Sequence, residues 1–202
     1  MKKKIAILGS TGSIGKQTLE LIKKDKKNFE VIVLSTNKNL KEIKKQIRIF
    51  KPKNVIITDI KSFKKFSNTN KKIKVFKNYN CFKKIFKKKV DYTMSSISSF
   101  DGLQPTIDII KYTKLIAIAN KESIICGWNL IISKLNKFKT KFVPVDSEHF
   151  SIWSLIRKSN DKIDKIFITA SGGPFFKKKR INLDSVKPID AIKHPKWKMG
   201  KK

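Results

Sequence analysis

Apolar and polar residues alternate in blocks along this chain, and the blocks have two different rhythms. Ile5 to Leu8 is an unbroken apolar run, followed by a glycine-rich turn from Gly9 to Gly15. From Lys16 to Lys24, Thr18, Leu19, Leu21 and Ile22 then fall at helical spacing. This predicts strand, turn, helix. Val31 to Leu34 is a second buried strand, and Lys41 to Phe50 aligns Ile43, Ile47 and Phe50 on one helical face before Pro52 ends it. Val55 to Thr58, Val90 to Thr93, Ile116 to Ala119 and Phe142 to Val145 read as further strands, with a helix over Thr106 to Tyr112. Nearly continuous apolar strands alternating with helices imply an α/β fold, a doubly wound and mostly parallel Rossmann-like sheet with helices on both faces. After Asp146 the texture changes: Phe150 to Ile156 reads as helix, Ile166 to Thr169 as strand, and Gly172-Gly173-Pro174 as a loop. The predicted organisation is one domain over residues 1–145 and the start of a second over 146–202, too short to close a core of its own.

Charge changes this picture less than its size suggests. Lysine and arginine number 48 against 15 acids, a net charge of +33, which points toward a polyanionic partner. Only Arg48, Arg157 and Arg180 are arginine, whereas base readout and bidentate phosphate clamping lean on Arg. The lysine clusters lie in separate segments without interleaved stacking aromatics, so they read as solvated faces of a lysine-rich composition and not as a nucleic-acid surface. A lysine-rich nucleic-acid binder built on a dinucleotide scaffold is the competing class. Cys81 and Cys126 suggest neither a disulfide frame nor a zinc site. The apolar run after Lys2-Lys3-Lys4 stops at Gly9, short of a signal peptide, and no later run is long enough to span a bilayer. A cytoplasmic protein without membrane contact is expected.

The turn Gly9-Ser10-Thr11-Gly12-Ser13-Ile14-Gly15 carries the first chemical signal. Glycines between a strand and a helix let backbone N–H groups approach a pyrophosphate at the positive end of the helix, with Thr11, Ser13 and Ile14 lining the approach. The spacing is not G-x-G-x-x-G, and Lys16-Gln17 fails the P-loop pattern, which argues against kinase or GTPase chemistry. Where an NAD enzyme offers an acid to the ribose 2′-hydroxyl, this chain has Thr36, Asn37, Lys38 and Asn39. A cation there favours a 2′-phosphate, hence NADPH. A glycine turn that merely packs helix on strand is the plain alternative.

Asn120-Lys121-Glu122-Ser123 follows a strand directly, where open sheets place ligands, yet Asn and Glu are equally at home around a helix N-cap. In Pro144-Val145-Asp146-Ser147-Glu148-His149 the two acids at i and i+2 converge if the backbone stays extended, giving hard oxygen ligands suited to Mg²⁺ or Mn²⁺. An acidic helix cap is the alternative, and His149 reads as a packing residue. Thr169-Ala170-Ser171-Gly172-Gly173-Pro174-Phe175 and His194-Pro195-Lys196-Trp197-Lys198-Met199-Gly200 have the polar and glycine content of binding loops, the second of a lid, with plain surface turns as the alternative for both.

Taken in order, GSTGSIG, NKES, PVDSEH, SGGPF and HPKWKMG resemble the N-terminal part of the 1-deoxy-D-xylulose-5-phosphate reductoisomerase family, and the resemblance runs across essentially the whole chain. It implies NADPH bound by Thr11, Gly12, Ser13, Ile14, Asn37, Lys38, Asn39, Asn120, Glu122 and Gly200. A divalent metal (Mg²⁺, Mn²⁺ or Co²⁺) would be held by Asp146 and Glu148. Substrate would be met by Lys121, Ser147, Glu148, Ser171, His194 and Trp197, with Lys121, Glu148 and His194 catalytic. It further implies rearrangement and reduction of a keto sugar phosphate for isoprenoid precursors, a homodimer in the full-length family, and 146–202 as the beginning of its catalytic domain. Asn37 stands where the family usually has glycine, which Asn tolerates in left-handed backbone. Ser98-Ser99-Phe100-Asp101-Gly102 is bulkier and more polar than the family's usual glycine-containing turn against the cofactor. The third metal-binding Glu and the residues for the substrate phosphate would lie beyond Lys202, so these 202 residues alone are expected to be inactive. An unrelated NADP-dependent dehydrogenase is the remaining alternative, one that would not need the paired acids.

Overall fold

The computed structural model describes residues 1–68, 73–158, 162–168, 172–177 and 185–193. Seven strands, β1 (Lys3–Leu8), β2 (Phe29–Thr36), β3 (Asn54–Ile57), β4 (Lys74–Phe76), β5 (Val90–Ser95), β6 (Thr113–Ile118) and β7 (Lys141–Pro144), form one sheet. The sheet order is β4-β3-β2-β1-β5-β6-β7, and each adjacent pair is parallel. The helices are α1 (Ser13–Lys24), α2 (Leu40–Phe50), α3 (Ile60–Ser67), α4 (Phe82–Ile85), α5 (Leu103–Ile109), α6 (Lys121–Lys137), α7 (Ser147–Lys158) and α8 (Pro188–Ala191). The chain divides into compact units of residues 1–154 and 155–202, and the sheet lies wholly in the first.

Alternation along each strand divides the interior into two cores. In β1, Ile5 and Ile7 join one buried cluster while Ala6 and Leu8 join the other, as expected when successive side chains point to opposite faces. In β6, Ile116 and Ile118 share a cluster with α6 residues Ile131 and Leu135, whereas Ala117 faces the cluster that holds Leu19 and Ile22 of α1. Both sides of the sheet are therefore covered, which is why its strands read as apolar runs. The chain builds β2, β3 and β4 to one side of β1 and β5, β6 and β7 to the other. The order thus reverses between β1 and β5, and at such a point the connections after the two strands part and leave a crevice at their carboxyl ends.

Several expectations change. The strand read at Ile166 to Thr169 is absent over Ile166–Ile168, where the apolar run pairs with no strand among the described residues, and Thr169 lies outside them. The backbone does not stay extended through the acidic pair, because α7 begins at Ser147 and the Phe150 N–H already bonds the Asp146 carbonyl at 3.0 Å. Asn37 is not among the positive-φ residues, which among the described residues are Lys51, Ser99 and Lys139 besides three glycines. Its side chain instead donates to Thr58 Oγ1 at 2.9 Å, so left-handed tolerance is not what admits Asn there. Among the described residues no helix is long and apolar enough to cross a membrane.

Candidate dinucleotide site

The first strand-to-helix junction is built by contacts that leave little freedom. Gly9 has φ +78°, and a Cβ on it would stand 2.5 Å from the Ser96 carbonyl oxygen, so glycine is needed both for the turn and for the approach of β5's end. Gly15 meets the start of the turn, where an added Cβ would fall 2.6 Å from Ser10 Cα. Gly12 is different. Its φ of −75° and ψ of 175° suit any residue, and the nearest atom to an added Cβ is 3.4 Å away. The protein's own packing does not require glycine there; a ligand needing close access to the backbone would. Gly12 is also the N-cap of α1 with no side-chain cap bond and no acid in the first turn, whereas α2, α3 and α6 are capped by Asn39, Asp59 and Asn120.

The turn is anchored from β2 and α2. The Gly9 N–H donates to Ser35 Oγ at 2.8 Å, the Ser10 N–H to the Ser35 carbonyl at 2.9 Å, and Thr11 and Thr36 share a hydroxyl bond of 2.8 Å. Gln46, buried in α2, takes the Ser10 hydroxyl on its Oε1 and donates its amide to the Ser10 carbonyl, each at 2.8 Å. Over this turn opens a cleft of about 620 Å³ lined by Gly9, Thr11, Gly12, Thr36, Asn37, Thr58, Tyr79, Ser96, Ile97, Ser98, Ser99 and Asp101. Hydroxyls and amides dominate it, and Asp101 is its one charged lining group. Lys38 lies next to the lining residue Asn37, and together with Ser62's hydrogen bonds its charge helps hold the Asp59 carboxyl below the usual range. Asn39 accepts the Glu42 N–H at 3.1 Å as N-cap of α2.

Asn120 is the N-cap of α6. It is 3% exposed; its Oδ1 accepts the Ser123 N–H at 2.8 Å, and its Nδ2 donates to the carbonyls of Ile97 and of Ser99, the latter at 2.6 Å. Its side chain therefore ties the cleft's Ile97–Ser99 wall to α6. The next residue, Lys121, reaches Glu148 Oε2 at 3.8 Å, while Glu122 lies in the first turn of α6.

Asp146 caps α7, with Oδ1 accepting the His149 N–H at 3.0 Å and paired with His149 Nδ1 at 2.6 Å. Burial pushes its pKa up, but the two bonds from His149 and the charges of His149 and Lys121 outweigh that and hold the carboxyl below its ordinary value. The other oxygen, Oδ2, is buried without a hydrogen-bond partner among the described residues. A buried carboxylate oxygen left bare is costly and suits a hard cation. Asp146 Oδ2 therefore fits such an ion as an oxygen donor, while Glu148 is paired with Lys121 at 3.8 Å; among the described residues no group of three His, Cys, Asp or Glu is assembled.

Thr11, Gly12 and Asn37 therefore meet in one cleft, Ser13 and Ile14 open α1, and Ser147 begins α7. Ser171, His194, Trp197 and Gly200 lie outside the described residues. The motif reading missed Thr58, Tyr79, Gln46 and His149. Thr58 carried a signal as the last residue of an apolar run, and His149 as the third residue after a capping Asp; nothing in the pattern marked Tyr79 or Gln46.

Comparison with known proteins matches the 1-deoxy-D-xylulose 5-phosphate reductoisomerase model over residues 5–127 and that enzyme's C-terminal domain model over residues 142–202. The reductoisomerase of Pelagibacter ubique is 57% identical over 99% of this chain and 53% of its own length; that of Caldanaerobacter subterraneus is 39% identical with the same coverage. The chain thus spans about half the length of the curated relatives it matches. Among solved structures, the reductoisomerase from Zymomonas mobilis in complex with NADPH superposes with TM-score 0.87 at 31% identity over 96% of this chain and 52% of that one. A reductoisomerase in complex with NADPH, fosmidomycin and magnesium gives 0.80 at 25% identity over 98% and 52%. The chain belongs to the 1-deoxy-D-xylulose 5-phosphate reductoisomerase family.

Proposed function

We propose that this chain supplies the NADPH site and the first two metal ligands of an enzyme that converts 1-deoxy-D-xylulose 5-phosphate to 2-C-methyl-D-erythritol 4-phosphate. The observation that carries the reading is the uncapped N-terminus of α1, opening on a cleft at the sheet's switch point beside a Gly12 that the protein's own packing does not require. The N–H groups of Ser13 and Ile14 would hold the pyrophosphate, and Lys38 with Asn37 and Asn39 the 2′-phosphate. Asn120 would act through the cleft wall that it braces, next to Glu122 on the cofactor side. When bound, a divalent cation polarises neighbouring oxygens of the keto sugar phosphate, and NADPH supplies the hydride. Asp146 Oδ2 and Glu148 would hold the cation. Lys121 balances the charge of Glu148 and stands ready for a substrate oxygen, with Ser147, Ser171, His194 and Trp197 completing the substrate site. The proposed boundary between cofactor and catalytic parts is near Asp146, and the complete enzyme is a homodimer.

Titration of this chain with NADPH and NADH tests the cofactor half. Tighter binding of NADPH, lost on Lys38→Ala, is the expected outcome; equal affinities would refute the 2′-phosphate assignment. The 202 residues alone should form no product with Mg²⁺ or Mn²⁺. In a chain extended to the length of its relatives, Asp146→Asn should abolish metal-dependent turnover while NADPH still binds. Turnover that survives this change would remove Asp146 from the metal site.

A further inference from the structure

Tyr79 follows the short strand β4 and carries its hydroxyl to β2, where its oxygen lies 3.0 Å from Ser35 Oγ. Either atom can donate across that contact, but the surroundings decide which does. Ser35 is completely buried, and its Oγ already accepts the Gly9 N–H at 2.8 Å. Its own hydroxyl hydrogen still needs an acceptor, and among the described residues Tyr79's oxygen is the only one its side chain meets. If Tyr79 donated instead, a fully buried hydroxyl hydrogen would be stranded, and leaving a buried polar group unsatisfied is strongly disfavoured. The chain therefore runs one way, from Gly9 N–H to Ser35 O–H to Tyr79. Tyr79's hydrogen is left over, and Tyr79 lines the cleft.

We infer that Tyr79 is a ligand-binding residue of this cleft, donating its phenolic hydrogen to an oxygen of the dinucleotide's adenosine and pyrophosphate portion, at the end of a hydrogen-bond chain that begins at Gly9. Aligned donors strengthen one another, so the chain makes the phenol a better donor than an isolated one. Burial, the largest influence, together with the nearby Cys81 and Asp101, pushes Tyr79 up to about 12 against the lowering contact with Ser35, so the hydrogen stays in place at ordinary pH. Asp101 lines the same cleft, and its negative charge acts on the phenol through space.

The inference deepens the reading of the cleft as a dinucleotide site and rests on it. The test is a double-mutant cycle on the whole chain, with NADPH affinity measured for the unmodified protein, Tyr79→Phe, Ser35→Ala and the double variant, and with the ligand-free melting temperature recorded for each. Tyr79→Phe should weaken NADPH about five- to tenfold, the range of one lost hydrogen bond, and by a smaller but still measurable factor in the Ser35→Ala background, where the chain no longer strengthens the phenol as a donor. A loss that vanishes in that background would overturn the inference, because Tyr79 would then act only by supporting Ser35 and the turn. Unchanged affinity of Tyr79→Phe would overturn it as well. If the unmodified chain fails to bind NADPH, the dinucleotide reading itself falls, a result separate from either. Adenosine 2′,5′-bisphosphate separates the two sources of the oxygen: a loss shared by this probe assigns it to the adenosine end, and a loss confined to NADPH assigns it to the pyrophosphate.

Discussion

Three glycines at one turn serve different masters, and substituting them separates structure from binding. At Gly15 an added methyl would be driven into the backbone of Gly9 and Ser10, neither of which can yield, because the same turn is held by Ser35 and Gln46. Gly15→Ala should therefore cost about 3 kcal/mol of stability, the scale of overpacking a tight contact. At Gly12 the backbone is ordinary and a methyl would meet its neighbours only at ordinary contact distance. Gly12→Ala should leave stability within about 0.5 kcal/mol, as surface changes usually do. It should nonetheless weaken NADPH tenfold or more, because the methyl would occupy the path to the α1 amides. Urea denaturation and NADPH titration of both variants read the two effects independently. Were Gly12→Ala as destabilising as Gly15→Ala, the claim that this glycine is kept for a ligand would fail.

At the level of elements, one amide links the cofactor wall to the helix that carries Lys121. The turn after β5 places Ser99 at φ 62° and ψ −170°, a region in which almost only glycine is comfortable. Asn120 holds that turn by donating to the carbonyls of Ile97 and Ser99 while capping α6 through Ser123. Asn120→Ala would strand the Ile97 carbonyl and one helix N–H and leave the Ser99 carbonyl with only the Gly102 N–H, and should cost about 2 kcal/mol in urea denaturation, with Ser99→Gly in the same background recovering about 1 kcal/mol. A cost below about 1 kcal/mol would mean that the turn holds itself. Such a brace was half legible in the sequence: Asn-x-x-Ser after a strand spelled a cap, but the long-range partners of Nδ2 lie 21 and 23 residues earlier and leave no local trace. The strands β1, β2, β3, β5, β6 and β7 were legible because burial on both faces writes them as apolar runs. In contrast α3, β4 and α4 were obscured by lysines, and with β4 unseen Tyr79 had no reason to stand out. Conversely, the run at Ile166 promised a strand whose formation depends on a partner that local pattern cannot reveal.

Across the whole molecule the dominant fact is unbalanced charge. Even if each of the 15 acids neutralised one cation, 33 would remain without an opposite charge. The pairs that form are at the surface, such as Lys53 with Glu30 at 3.5 Å and Lys114 with Asp91 at 2.7 Å, where each contributes little. Long-range repulsion among lysines therefore outweighs these local attractions and opposes the compact state. Added salt screens both, but it removes more repulsion than attraction, since at about 0.15 M the screening length is about 8 Å, shorter than most lysine separations and longer than an ion pair. The melting temperature should accordingly rise when sodium chloride is raised from about 10 mM to about 300 mM, the reverse of a fold held together by ion pairs. The same salt series distinguishes the two uses of positive charge. Affinity for a non-specific DNA duplex should collapse with a steep slope as counterion release becomes less favourable, whereas NADPH, held under the proposed reading by one lysine and several uncharged donors, should lose affinity only modestly. If the melting temperature falls with salt while DNA binding persists at physiological ionic strength, the lysines are a working surface and not a compositional burden.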